Sequence, residues 1–296
     1  MTASALKFQV GARTLAAVDR DLARVALSLD DVLAGFVPTL PPAGRDGYAI
    51  TSLPEALLGG VSTTGLLAFV RQRYVRYHTH LTSGHDAWLA GLSANARSSL
   101  KRKTKKLAAA SGGTLDIRAY RTPDEFAVFH PLARAVSATT YQERLLDAGM
   151  PGDARSVAYL HAAAAADALR AWLLFVDDEP VAYLCCTASG DTLLYNHVGH
   201  DPAANDLSPG IVLQAEAMRQ LFADRFARFD FTEGEGQHKR LFATAGTPCV
   251  DLLLLRPTIA NRALLIALGG FERATAFAKR GLTHPRLAGL ARRVRR

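Results

Sequence analysis

The chain has 296 residues, 49% of them hydrophobic, and a formal net charge of +8. That length and composition give one large domain or two modest ones with a buried core, and they exclude a disordered chain. No apolar run approaches the roughly 18–20 residues of a membrane span, the first fifteen residues lack a basic-then-apolar leader pattern, and three cysteines (Cys185, Cys186, Cys249) suit neither a disulfide framework nor a metal site, so a reduced, cytoplasmic location is expected.

In chain order, Leu6 to Val10 reads as a strand and Leu15 to Leu33 as a weak, highly charged helical pattern. Residues 36–47, with Pro38, Pro41 and Pro42, read as a loop. Leu66 to Leu81 holds a strand, because aromatic and polar residues alternate from Tyr74 to His80. Ser83 is expected to cap a short helix over His85 to Leu92, and Ser93 a basic helix over 93–110. That second helix carries Arg97, Lys101, Arg102, Lys103, Lys105 and Lys106, with no acid between Asp86 and Asp116. It is either a solvated surface helix or a cationic wall beside an anionic ligand. Gly112-Gly113 supplies its stop.

Leu115 to Tyr120 alternates as a strand, and Thr122-Pro123-Asp124-Glu125 is a capping box opening a helix to about Ser137. The polar insert Thr139-Thr140-Tyr141-Gln142 follows, and Tyr141 and Gln142 are candidates to line an acceptor pocket. An alanine-rich helix spans Asp153 to Leu169. A hairpin is expected from Ala171 to Val176 and Val181 to Ala188 around Asp177-Asp178-Glu179, then a strand from Thr192 to Val198. Adjacent Cys185 and Cys186 must face opposite sides of their strand. A helix over Ile211 to Phe226, strands at Phe229 to Thr232 and Val250 to Leu255, and helices over Pro257 to Gly281 and Pro285 to Arg296 complete the chain. This order predicts an α+β fold, a mixed β-sheet flanked by helices.

Two places could carry chemistry. Ser208-Pro209-Gly210 opens a helix: serine caps, proline fits the first turn, and glycine admits a ligand to the backbone. With the positive end of the helix dipole, such a start is an anion site. The alternative is a well-capped helix without a ligand. Glu233, Glu235, His238 and Lys239 lie just past a strand end, where α/β proteins place reactive groups, and Glu233 or His238 would serve as a general base beside an amine. The alternative there is a solvated polar loop. His197 and His200 lack a third ligand, so no metal is expected. The absence of G-x-G-x-x-G, G-x-x-x-x-G-K-[ST] and G-x-S-x-G argues against Rossmann dehydrogenases, P-loop NTPases and α/β-hydrolases.

The stretch Tyr195 to Lys239 resembles the GNAT acyltransferase superfamily, in its FemAB-like branch with the CelD and BioF2-like acetyltransferase domains. The matching features are the basic run Arg97 to Lys106, Asp201-Pro202, Ser208-Pro209-Gly210, Asp230-Phe231-Thr232-Glu233-Gly234 and Lys239. The resemblance covers about residues 90–255. It implies a GNAT acyl-CoA N-acyltransferase fold at 93–256, after a degenerate GNAT-like α/β region at 1–92 that makes the chain a tandem. It implies transfer of an acyl group from acyl-CoA to an amine, with no metal, and the pyrophosphate of the cofactor resting on Leu207, Ser208, Pro209, Gly210 and Ile211. Glu233, His238 and Lys239 would stand at the reaction, and Tyr141, Gln142, Tyr195 and Asp230 at the substrate. The family's [QR]-x-x-G-x-[GA] loop has two glycines where this chain has one, and some FemAB-like members use aminoacyl-tRNA as donor.

The charge is uneven. From Arg256 to Arg296 ten Lys/Arg stand against Glu272 alone, a net +9, leaving −1 for residues 1–255. The basic amphipathic helices at 257–296 would either dock on the domain or lie on an anionic membrane surface, giving a peripheral place on the inner membrane. On the membrane reading the acceptor is a lipid amine, such as a sphingoid base, or a lipid-linked sugar; otherwise it is a small-molecule amine. Nucleic-acid binding is disfavoured, since no aromatic-interleaved surface accompanies the charge. A non-catalytic GNAT-like scaffold is the remaining alternative.

Overall fold

The computed structural model describes residues 3–10, 13–140, 149–234 and 236–282. In chain order its elements are β1 (Ala3–Val10), β2 (Arg13–Ala26), α1 (Leu29–Ala34), β3 (Gly47–Pro54), β4 (Leu67–His80), α2 (His85–Gly91), α3 (Ala94–Ala110), β5 (Asp116–Tyr120), α4 (Pro123–Thr139) and α5 (Ala154–Ala165). There follow β6 (Leu169–Val176), β7 (Glu179–Ser189), β8 (Thr192–His200), α6 (Pro209–Leu221), β9 (Arg228–Asp230), α7 (Gln237–Phe242), β10 (Ala245–Leu255) and α8 (Ile259–Leu282). The fold is a mixed sheet flanked by helices, as the sequence predicts. Two compact units are formed, Met1–Arg73 with Val250–Arg296, and Tyr74–Cys249; the boundaries fall inside β4 and β10.

In the first unit β1 pairs antiparallel with β2, and β2 pairs parallel with β3. The expected helix at Leu15 to Leu33 is therefore mostly strand, with only α1 helical. Val18 and Leu22, which face the core, are four apart and fit either period, so pairing on both edges of β2 decides the matter. Leu6, Leu22, Leu253, Leu255, Leu264 and Leu268 form this unit's core.

The second unit has strand order β4-β9-β8-β7-β6-β5. Its pairs are antiparallel except β8 with β9, which are parallel and joined through α6. Strand β6 reads LRAWLLFV because both its faces are covered. Trp172 and Leu174 enter a core with α2, α3 and α6, while Leu173 and Phe175 enter another with α4 and α5. Cys186 and Cys185 fall on these opposite sides, as alternation requires. The capping box at Thr122 and Glu125 is present. The β6–β7 hairpin turns through Asp177 and Asp178, both at positive φ, the geometry of the tight turns that match strand twist.

Two expected caps fail. Gly84, not Ser83, is the N-cap of α2, and the Ser83 hydroxyl donates to the His80 carbonyl instead. Ser208 is left-handed, at φ 55° and ψ 47°, and its side chain caps nothing. It links a 3-10 turn over Pro202–Leu207 directly to α6, so its backbone serves both. The polar segment expected as a loop after β9 contains α7, and the helix expected to reach Phe226 stops at Leu221.

The β8–β9 register ends at Leu194↔Asp230. Asp230 is fully buried and paired with Arg76, Nη2 to Oδ2 2.6 Å, and it also accepts the Thr232 N–H at 2.9 Å. Thr232 is itself left-handed, which turns the chain off β9. Removing one partner of such a buried pair strands the other charge. We expect Asp230→Ala to cost about 3–5 kcal/mol in urea unfolding, and Arg76→Met with Asp230→Leu to cost less than the single change. A single variant as stable as the unaltered protein would show that the pair does not hold this corner.

Candidate functional site

Beyond Leu194 the β8–β9 ladder ends, the Thr232 hydroxyl donates to the Tyr195 carbonyl at 3.3 Å, and the strand bulges there. Cys185 pairs with His197 and Cys186 with Tyr195, so Asn196 is the extra residue. Its Oδ1 accepts the Thr187 N–H at 2.8 Å and hydroxyl at 2.9 Å. The splay opens a cavity of about 360 Å³ between β8, the start of α6 and α7. Its lining includes Tyr195, His200, Ser208, Gly210, Gln214 and His238.

The α6 start is built for close approach. Ile211 and Val212 amides both turn back to the Ser208 carbonyl, at 3.2 and 3.3 Å, and Pro209 has no N–H. This leaves the Gly210 amide as the first-turn donor without a described partner, at the positive end of the helix. A Cβ at Gly210 would stand 3.5 Å from His200 Nδ1, reaching into the cavity that both residues line. His200 is held on its other side, Nε2 to Asn205 Oδ1 at 2.7 Å.

Two residues that line the cavity each bury a side-chain nitrogen with no partner among the described residues. Gln214 is 3% exposed, and its Nε2 has no hydrogen bond; His238 Nε2 is likewise buried and unsatisfied. A buried polar atom without a partner is costly, which sets these two residues apart from the rest of the lining. Burial first, then the Lys239 charge, holds the His238 pKa below its ordinary value, so the ring is neutral at neutral pH. The Tyr195 ring lies 5.9 Å from that of His238, and burial pushes its phenol well up.

The remaining expected site residues are placed differently. Lys239 is buried and its Nζ donates to the Glu233 carbonyl; burial lowers its pKa against the opposing Asp230 and Glu233 charges. The Glu233 side chain is exposed and does not line the cavity. Asp230 is committed to Arg76 and Thr232. Of the five helix-start residues, Ser208, Gly210 and Ile211 line the cavity, whereas Leu207 and Pro209 do not. Glu235, Tyr141 and Gln142 lie outside the described residues. Sequence reading passed over Gln214 and weighed His200 only as a metal ligand. A glutamine on the buried stripe of α6, among Leu213, Ala217 and Met218, was the available signal. Among the described residues no three His, Cys, Asp or Glu side chains gather as metal ligands.

Residues 94–240 match the family profile described as an acetyltransferase (GNAT) domain. This part of the chain is a GNAT acetyltransferase domain. The cavity, the parallel β8–α6–β9 unit and the helix start all lie inside that GNAT domain. Among solved structures, the chain is similar to the C-terminal domain of a putative lysylphosphatidylglycerol synthetase from Agrobacterium fabrum, at 13% identity and TM-score 0.51, covering 75% of this chain and 71% of that one. It is also similar to L-PGS from Bacillus licheniformis (11%, TM-score 0.49, 74% and 71%) and to a GCN5-related N-acetyltransferase from Kribbella flavida (14%, TM-score 0.38, 72% and 70%). No curated protein matches the sequence.

Burial is the leading cause that lowers the pKa of His78, His197 and His238 from 6.5. Below that value the unfolded chain takes up these protons before the folded one, so stability falls as pH drops. The melting temperature is expected to be lower at about pH 5.5 than at about pH 7.5, and His197→Asn to flatten the difference. Equal melting temperatures at both pH values would refute the assignment.

Proposed function

We propose that the GNAT domain is an N-acyltransferase that moves an acyl group from acyl-CoA to an amine acceptor, in the FemAB-like and CelD-like branch of the family. The observation that carries this reading is that Gly210 at the helix start, Gln214 and His238 line one cavity, the last two with unpartnered side-chain nitrogens. These residues fit the cofactor: a helix start with a free amide and no Cβ suits a pyrophosphate at Ser208, Gly210 and Ile211. Bound there, the thioester supplies an activated acyl carbonyl. Gln214 is the donor assigned to negative charge developing on the carbonyl oxygen, and the Gly210 amide is reserved for the pyrophosphate. Neutral His238 accepts the proton that the amine sheds. Tyr195 keeps its proton, because burial raises its pKa, and is the acid on the same wall. Lys239 is assigned to holding the Glu233 carbonyl rather than to reacting, and Tyr141 and Gln142 are assigned to the acceptor from sequence alone.

The test is twofold. Saturating acyl-CoA should raise the melting temperature, since about 100 Kd of ligand adds about 2.7 kcal/mol. Gly210→Ala should retain its fold and lose most of that rise. In a thiol-release assay over a panel of amines, His238→Ala should lower the rate about 10²–10⁴-fold. The acid limb of kcat/KM should fall below pH 6.5, the ordinary histidine value from which His238 is lowered. The runner-up donor is an aminoacyl-tRNA, favoured by α3, whose Lys106 donates to the Asp206 carbonyl at 2.7 Å just before α6. A melting-point rise with aminoacyl-tRNA and none with any CoA ester would decide for it.

The acceptor side includes a membrane in this proposal. Among the described residues no helix is long and apolar enough to cross one. However, α8 buries Leu264 and Leu268 while leaving Ile259, Ile266 and Phe277 exposed, which supports a peripheral lipid contact through 257–296. Removing residues 283–296, which keeps the core residues Leu264 and Leu268, should weaken co-sedimentation with anionic vesicles, and undiminished binding would remove the membrane partner.

A further inference from the structure

A second, larger cavity of about 660 Å³ lies on the other flank of α6, between it, α2 and α3. That size is within the roughly 300–1,000 Å³ of small-molecule sites. Its floor is apolar: Trp88, Leu100, Ala108, Val212 and Ala215. Trp88 donates its indole N–H to the Phe242 carbonyl at 2.9 Å, so it brings only its ring to the floor. Helix α3 is anchored by fully buried Leu107, which keeps its next turns standing over the groove.

The rim is charged with one sign. Arg97, Lys101, Lys105 and Arg219 surround the floor, and the one acid there, Glu216, is bound by Arg219 at 2.6 Å. Arg97 is tied to the Ala90 and Leu92 carbonyls. Lys101 and Lys105 are exposed, one turn apart, and make no ion pair with a described residue. A long apolar trough beneath two unpaired ammonium groups is complementary to a single hydrocarbon chain ending in an anion. A nucleic-acid backbone would gain nothing from the apolar floor, and the basic 257–296 segment would be repelled by the rim.

We propose that this groove binds a long-chain fatty acid, with the chain along Leu100, Ala108, Val212 and Ala215 and the carboxylate at Lys101 and Lys105. The site is separate from the acyl-transfer cavity and does not depend on the activity assigned there. Each further methylene buried should tighten binding about four-fold, and the carboxylate pairs with the lysines through charge-assisted hydrogen bonds.

The probe is cis-parinarate, an 18-carbon polyene fatty acid whose fluorescence rises on binding and which accepts excitation from Trp88. Saturable binding is expected, displaced by palmitate more strongly than by myristate, and by 1-hexadecanol about ten-fold less well than by palmitate. The Lys101→Glu/Lys105→Glu variant should bind about ten-fold more weakly, and Ala108→Trp, which fills the trough, should not bind. Because Lys101 and Lys105 are exposed, the double variant should melt as the unaltered protein does, which keeps it informative if Ala108→Trp misfolds. His238→Ala, which alters the other cavity, should bind parinarate normally. Unchanged binding by the lysine variant, equal competition by hexadecanol, or loss of binding in His238→Ala would each overturn the proposal.

Discussion

The buried pair of Arg76 and Asp230 sets the geometry of the second unit. Asp230 is the last residue of β9 to register with β8, and its carboxylate takes both the guanidinium and the Thr232 amide. The chain therefore leaves the sheet at a fixed point, through a left-handed Thr232, and cannot extend the β8–β9 ladder. The shape of the smaller cavity follows from that stop. The outer half of β8 keeps only β7 as strand partner, the bulge at Asn196 re-aims its side chains, and α7 carries His238 across the gap. A buried charge pair is poor evidence of stability in general, and its value here is directional: it terminates a strand pairing.

Helix α6 is used twice. Its first turn lines the smaller cavity, and its flank supplies one wall of the apolar groove under α3. The helix can do both because its core stripe, Leu213, Ala217, Met218 and Leu221, is buried throughout, leaving the first turn and one flank for ligands. Gln214 sits at the edge of that stripe, the point where a polar atom can be buried and still face a cavity.

Much of this was legible in the residues. The Thr122 capping box, the Asp177-Asp178 turn, the β6–β7–β8 alternation and the cationic helix at 94–110 all carry local signals strong enough to survive folding. The helix start at Ser208–Gly210 was legible as a place, though not as a serine cap, because the preceding 3-10 turn forces Ser208 into a left-handed conformation. Two things were not legible. Strand β2 owes its state to partners distant in sequence, and its apolar spacing fits both periods. Helix α7 is too short for periodicity to register, so His238 and Lys239 read as neighbours in a loop, whereas one turns toward the cavity and the other toward the Glu233 carbonyl.

Every wall residue of the smaller cavity comes from the single run Tyr195 to His238. The pocket is thus continuous in sequence: strand end, helix start and short helix arrive in order and close on one another with little loop-closure entropy, while Arg76 on β4 fixes where β9 stops. Lengthening or shortening the chain outside that run adds no loop to be closed within the pocket itself. Selection can then vary what approaches the pocket without re-solving what happens inside it.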